Sequence, residues 1–258
     1  MAIIKKFRIK SFKETETLVE LNKVSMFYNK RQILDNLNLK INKNEVLGML
    51  GPNGVGKSTI FHIITGLKDP SYGRVLINNF DCTDIPIHER ATKFKLGYVP
   101  QHGGFIQDLN LYENLKLVAE IHIKEKDLRQ IKIKKIISRF EFDSILKIKA
   151  KHLSGGQKKK LVIAMALIND PSILLLDEPF AALDILTIKM LQEIIVNLQS
   201  MQRITVVVCD HQARDLLSCV DRAIVLSNGR IIASGSPNEI INDSNARTAY
   251  FDEELKIN

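Results

Sequence analysis

The sequence predicts an α/β fold: a parallel-stranded core around a phosphate-binding loop, an antiparallel β subdomain ahead of it and an inserted α-helical subdomain. Three observations carry this. The apolar run Val46-Leu47-Gly48-Met49-Leu50 has a strand's length, and Gly51-Pro52-Asn53-Gly54-Val55-Gly56-Lys57-Ser58-Thr59 follows it directly. Ile60-Phe61-His62-Ile63-Ile64-Thr65-Gly66 then reads as a helix stopped by glycine, so the glycine-rich stretch has the strand, loop, helix context of a P-loop. Hydrophobic spacing also changes along the chain, from a period of two before the loop, to helical spacing in the middle third, to continuous apolar runs beyond it.

Residues 1 to 17 form a basic arm containing Lys5-Lys6-Phe7-Arg8-Ile9-Lys10-Ser11-Phe12-Lys13, read either as a mobile tail or as a segment resting on acidic headgroups. Globular patterning starts at Leu18-Val19-Glu20-Leu21, continues through Val24-Ser25-Met26-Phe27-Tyr28 and resumes at Leu37-Asn38-Leu39-Lys40-Ile41. Its period of two predicts strands of an antiparallel layer. Tyr28 ends one of them, placed either to stack on a base or to pack. In the loop, glycines let successive N–H groups turn inward around phosphate oxygens, and the helix start adds partial positive charge. Lys57 would reach the β- and γ-phosphates, and the Ser58 hydroxyl would ligate Mg²⁺.

Gly73-Arg74-Val75-Leu76-Ile77-Asn78 and Leu96-Gly97-Tyr98-Val99-Pro100 supply two further strands, with Gln101 at the exit of the second. Asn110 and Glu113 then make an N-cap pair ahead of Leu111, Leu115, Val118 and Ile121, and helical spacing continues through Leu128, Ile131, Ile136, Ile137 and Phe140. Residues from about 102 to 170 are therefore read as the inserted helical subdomain. Within it, Leu153-Ser154-Gly155-Gly156-Gln157 opens a helix with capping-box spacing between Ser154 and Gln157, stopped at Asp170-Pro171. Two glycines in a first turn are costly, and the chemical reason would be close approach of backbone N–H groups to an anion.

Ile173-Leu174-Leu175-Leu176-Asp177-Glu178-Pro179 is too continuously apolar for an edge strand and ends in two carboxylates. Neighbours on a strand face opposite ways, so the two acids should do different jobs. Asp177 is assigned to the Mg²⁺ shell beside Ser58, and Glu178 to polarising an attacking water. Thr205-Val206-Val207-Val208-Cys209-Asp210 is a second buried strand, and His211 at its end is assigned a γ-phosphate contact. Residues 223 to 233 read as a hairpin through Asn228-Gly229, and the tail after Pro237 as short, polar and helical at first.

With 258 residues, 45% apolar and 26% charged, the chain fits one large domain or a core with a modest subdomain. No window is long and apolar enough for a bilayer crossing, and the first residues lack a secretion signal. Cys82, Cys209 and Cys219 are widely spaced and read as reduced cytosolic thiols. The formal charge of +8 is spread without interleaved aromatics, so no nucleic-acid partner is expected.

In order along the chain, Tyr28, the loop at 51 to 59, Gln101, Leu153-Ser154-Gly155-Gly156-Gln157, Leu176-Asp177-Glu178, Ala182-Leu183-Asp184 and His211 resemble the full motif series of an ABC transporter ATP-binding cassette, over roughly residues 18 to 240. The resemblance implies a P-loop NTPase (RecA-like) core that binds and hydrolyses ATP with Mg²⁺. It implies that Tyr28 stacks on adenine, that Gln101 senses the metal and links the core to the helical subdomain, and that Glu178 and His211 serve hydrolysis. Asp184 belongs to the same nucleotide-site series. Ser154, Gly155, Gly156 and Gln157 would close in trans over ATP held by a second copy, which implies a homodimer. Two integral membrane transporter subunits would be the partners, with the cassette cytoplasmic and peripheral on the inner face of the cytoplasmic membrane. Gln101 with Gly103-Gly104-Phe105-Ile106 either receives a partner helix or packs as subdomain core. A finer likeness, in Asp177-Glu178-Pro179-Phe180-Ala181, in Cys209-Asp210-His211-Gln212-Ala213-Arg214 and in the tail Ala249-Tyr250-Phe251-Asp252-Glu253-Glu254-Leu255, is to the ATPase of bacterial lipopolysaccharide export. Branched-chain amino acid importer ATPases share much of it, and a soluble ABC-type ATPase acting on ribosomes or DNA is the alternative from another class.

Overall fold

The computed structural model describes residues 16 to 251, so the basic arm, apart from residues 16 and 17, and the end of the tail lie outside the described residues. The chain starts as a hairpin of two long strands, β1 (Thr17–Tyr28) and β2 (Arg31–Asn42), followed by the short buried β3 (Val46–Leu50). The glycine loop leads into α1 (Lys57–Thr65), which ends on Gly66 at φ 79°, a left-handed C-cap. Next come β4 (Tyr72–Ile77), β5 (Phe80–Asp81), α2 (Ile87–Lys93) and β6 (Leu96–Val99). Three helices follow, α3 (Leu111–His122), α4 (Lys126–Phe140) and α5 (Gly155–Ala166). The last third alternates β7 (Ile173–Asp177), α6 (Ile185–Gln202), β8 (Thr205–Cys209), α7 (Ala213–Leu217) and the hairpin β9 (Arg222–Ser227) and β10 (Arg230–Gly235), and then α8 (Pro237–Asn242). Asn228 and Gly229 turn that hairpin at φ 49° and 73°, as a two-residue I′ turn requires.

These strands make two sheets. One is antiparallel, in the order β2-β1-β4-β5; the other has the order β10-β9-β3-β8-β7-β6 and is parallel except for β10. Strand residues alternate between two cores. Leu47, Met49, Ile173, Leu175, Val207 and Cys209 face α1 and the antiparallel sheet, whereas Val46, Leu50, Leu174, Leu176, Val206 and Val208 face helices α3 to α6. The inserted helices therefore share a core with one face of the sheet.

Two sequence readings change in detail. The strand read as starting at Leu37 begins at Arg31; its first half is half-polar, and Asn36 at φ 47° and a register irregularity break the alternation. On α3 the packed stripe is Leu111, Leu115 and Ala119, and on α4 it is Ile133, Ile136, Ile137 and Phe140. Ile121, Leu128 and Ile131, expected on that stripe, are exposed.

Two buried polar side chains brace this frame, and neither stands out in the sequence. Arg90, wholly buried, donates to the carbonyls of Ile63 and Ile64 at 2.7 and 3.2 Å, of Thr83 at 2.7 Å and of Ile85 at 2.6 Å. It satisfies the last carbonyls of α1, where a cation also complements the helix dipole. Asn114 on α3, also wholly buried, accepts from Ile106 N at 2.8 Å and donates to the carbonyls of Ile106, Leu109 and Asn110. It pins the segment that follows Gln101.

Candidate functional site

Parallel sheets bind ligands beyond the carboxyl ends of their strands. Here β3, β8 and β7 lie side by side, so the loop after β3, the acids after β7 and the histidine after β8 meet at one edge. Gly51 and Gly56 take φ of 147° and 113°, and a Cβ on them would lie 2.6 Å from Leu226 O and 2.7 Å from Leu34 Cδ2. Only glycine fits both the backbone and the space. Gly56 caps α1 without any side-chain hydrogen bond, which leaves the first amides of the helix for an anion. Lys57 is nearly buried, and its Nζ donates to Gly51 O at 2.6 Å and Pro52 O at 3.1 Å, inside the loop. Pro52, Asn53 and Gly54 are exposed at the rim, while Val55 and Thr59 continue the loop into the helix.

Ser58 Oγ donates to Asp177 Oδ1 at 3.2 Å. The same carboxylate accepts from Cys209 Sγ at 2.8 Å on Oδ1 and from the Tyr98 hydroxyl at 3.2 Å on Oδ2. Burial, then the charge of Asp177, pushes the Tyr98 phenol well above its ordinary range, so it stays a donor. Burial likewise pushes the Cys209 thiol up. The Ser58 and Asp177 oxygens suit a hard divalent cation. Among the described residues no group of three or more His, Cys, Asp or Glu side chains could hold a metal.

Glu178 follows the strand at φ 46°, and its carboxylate meets a different set of partners from that of Asp177. Gln101 Nε2 donates to Glu178 Oε2 at 2.6 Å, and His211 Nδ1 lies 3.6 Å from the same oxygen. That nitrogen is buried, has no hydrogen bond and lies equally far from Asp210 Oδ1. Asp210 itself is wholly buried and accepts from Phe180 N at 2.9 Å and Gln212 N at 3.0 Å, so it ties the loop after β7 to the loop after β8. Lys159 on α5 donates to the carbonyls of Gln101 at 2.8 Å and Glu178 at 3.2 Å. Burial pulls its ammonium below the usual lysine range, against the raising effect of Asp210, Asp177 and Glu178. The Tyr250 hydroxyl donates to the His211 carbonyl. Lys159 and Tyr250 carry no sequence signal for these contacts, which span 58, 19 and 39 residues along the chain.

The remaining expected residues stand apart. Tyr28 is 40% exposed at the end of β1 and pairs with Arg31, two residues before Ile33, whose side chain lies against Gly56. Ser154 and Gln157 form a complete capping box on α5, with Gln157 N to Ser154 Oγ at 3.2 Å and Ser154 N to Gln157 Oε1 at 2.9 Å. No described hydrogen bond joins this helix start to residues 51 to 59 of the same chain among the described residues. Asp184 caps α6, accepting from Thr187 N at 3.0 Å and Thr187 Oγ1 at 2.6 Å. The Thr187 hydroxyl holds the Asp184 carboxyl below the usual range.

Comparison with known proteins agrees with this geometry. The family model described as ABC transporter matches residues 34–181. The lipopolysaccharide export system ATP-binding protein LptB of Haemophilus influenzae is 36% identical over 234 residues, 89% of this chain and 95% of that protein. The protein of the same name from Escherichia coli K12 is 32% identical over 231 residues, with the same coverage. Among solved structures, an ATP-binding cassette of an ABC transporter superposes with a TM-score of 0.83 at 26% identity, covering 92% of this chain and 99% of that one. A dimeric cassette in a post-hydrolysis state bound to ADP and Pi superposes with a TM-score of 0.77 at 29% identity, covering 85% and 99%. Among the described residues no helix is long and apolar enough to cross a membrane. The P-loop, the two strand-end acids and these matches converge, and the chain belongs to the ABC transporter family as one of its ATP-binding, ATP-hydrolysing cassettes.

Proposed function

We propose that this cassette works as a homodimer that hydrolyses ATP with Mg²⁺ and drives two integral membrane subunits which extract lipopolysaccharide for export. The observation that carries the substrate is the 36% identity to LptB across 89% of this chain and 95% of that protein. By likeness to LptB, the cassette would act from the cytoplasmic face, held peripherally by its partners.

In this reading the loop from Gly51 to Thr59, through its available backbone N–H groups, and the Lys57 ammonium bind the phosphates, and Tyr28 stacks on the base. Mg²⁺, when bound, would neutralise negative charge on the phosphates. Ser58 and Asp177 would hold it, together with Gln101. Glu178 polarises the attacking water; the 2.6 Å bond from Gln101 and the nearby His211 imidazole fix the direction of its carboxylate. Ser154, Gly155, Gly156 and Gln157 of one copy close over the phosphates bound by the other, with Asp184 beside the joint. The segment from Gly103 to Leu109, clamped by Asn114 and presenting a half-exposed Ile106, receives a partner's cytoplasmic helix.

The test is co-purification from detergent-solubilised native membranes, followed by ATPase assay of the complex with added lipopolysaccharide. Stoichiometric recovery of two integral membrane subunits, with turnover stimulated by lipopolysaccharide, supports the proposal. Stimulation by branched-chain amino acids instead, or association only with salt-sensitive nucleic acid, overturns it.

A further inference from the structure

Asp177 is 4% exposed, and a carboxylate offers roughly four lone-pair sites, so its partners decide which way it can point. Three of those sites are taken by donors from three different elements. Ser58 on α1 and Cys209 on β8 meet Oδ1 at 3.2 and 2.8 Å, and Tyr98 on β6 meets Oδ2 at 3.2 Å. Ser58 belongs to the site already described. Among the described residues neither Tyr98 nor Cys209 hydrogen-bonds to residues 51 to 59, and neither has a role in the reaction as read so far.

Each also reaches a second part of the site. The Tyr98 hydroxyl lies 3.4 Å from His62 Nε2, and the two rings meet edge to face at 6.2 Å, so Tyr98 spans from β7 to the helix that begins at the phosphate loop. The Cys209 carbonyl accepts from Glu178 N at 2.8 Å, so one residue holds the side chain of Asp177 and the backbone of Glu178. With a donor on each oxygen, rotation of the carboxylate about its last bond breaks at least one hydrogen bond. Buried polar groups left without a partner are costly, and that cost locks the orientation.

We infer that Tyr98 and Cys209 are positioning residues that aim Asp177 at the cation of the nucleotide site and so set the affinity for that cation, without contributing to nucleotide binding. The inference rests on the proposed assignment of Asp177 and Ser58 to a divalent cation. Outer-shell donors of this kind alter metal affinity by about 10- to 100-fold when removed. Tyr98 is the sole described donor to Oδ2 and has the larger share, whereas Cys209 shares Oδ1 with Ser58.

The test uses Mn²⁺ as the probe, its binding to the full chain with saturating ADP followed by electron paramagnetic resonance, and metal-free ADP affinity measured in parallel. Tyr98→Phe keeps the ring and loses the donor; it should weaken Mn²⁺ binding about 10-fold and leave metal-free ADP affinity unchanged. Cys209→Ala should weaken Mn²⁺ binding less, and Cys209→Ser should restore it, because serine returns a donor at nearly the same loss of volume. Mn²⁺ affinities within twofold of wild type for both Tyr98→Phe and Cys209→Ala would overturn the inference, as would equal loss in the Ala and Ser variants. Failure of the wild-type chain to bind Mn²⁺ with ADP would instead sink the assignment of the cation site, and the inference with it.

Discussion

Two helices of this chain begin with glycines, and they are built in opposite ways. At the start of α1 the loop needs glycine: Gly51 and Gly56 have positive φ, the helix lacks a side-chain cap, and Lys57 is buried against the loop's own carbonyls. At the start of α5 the capping box of Ser154 and Gln157 is complete, and neither Gly155 nor Gly156 has a positive φ. The first start draws its glycines, its buried lysine and its uncapped helix amides from one chain. The second is already satisfied within its own helix, so whatever its glycines are for lies partly elsewhere.

The two α5 glycines themselves divide. A Cβ on Gly156 would lie 2.6 Å from Thr187 Cγ2 on α6, so close helix packing suffices to require glycine there. A Cβ on Gly155 would meet nothing nearer than Leu183 at 3.4 Å, an ordinary contact. Nothing among the described residues demands glycine at 155, which fits a surface that a second copy's nucleotide approaches.

Four expectations break or sharpen this contrast. The largest concerns chemistry beside the glycine loop. Glu178→Gln should lower kcat by about 10²- to 10⁴-fold while ATP still binds, read by phosphate release and by equilibrium nucleotide binding. Next, Lys57→Ala removes a charged donor worth about 1.5–3 kcal/mol, so nucleotide affinity should fall roughly 10- to 100-fold. Ser154→Arg, measured in the same binding assay on dilute monomer, should leave affinity in place and abolish turnover. A comparable affinity loss in both variants would erase the distinction between the two helix starts.

The third expectation separates the two α5 glycines by stability. Gly156→Ala should cost about 1–3 kcal/mol in denaturant unfolding through overpacking on Thr187. Gly155→Ala should be neutral or stabilise by up to about 1 kcal/mol, since alanine favours a helix. Equal destabilisation would show that both are packing residues. The smallest effect is Ser154→Ala, which loses the cap of α5 for about 1 kcal/mol, a shift of a few degrees in the unfolding midpoint by calorimetry.

Much of this was legible because the signals are local. The loop from Gly51 to Thr59 names its own flanking strand and helix, and the capping boxes at Asn110 and Ser154 are four-residue patterns. The runs ending at Asp177 and Cys209 announce buried strands, and both lie inside the parallel sheet. Legibility failed where the partner is distant or the pattern is mixed. Arg90 looks like one more surface cation, yet it closes α1 through carbonyls 26 and 27 residues away. Tyr98, 79 residues from Asp177, resembles any strand aromatic. The first half of β2 is half-polar, so its alternation is hidden until the turn at Asn29 shows where β1 ends.

The central claim is that ATP joins two copies of this chain through the glycine loop of one and the α5 start of the other. Sedimentation velocity of the Glu178→Gln protein, with and without ATP, tests it most directly. The account predicts that ATP doubles the 29.3 kDa mass and that adding Ser154→Arg abolishes the doubling. An ATP-bound protein that stays monomeric, or one that dimerises undiminished with arginine at position 154, would contradict it.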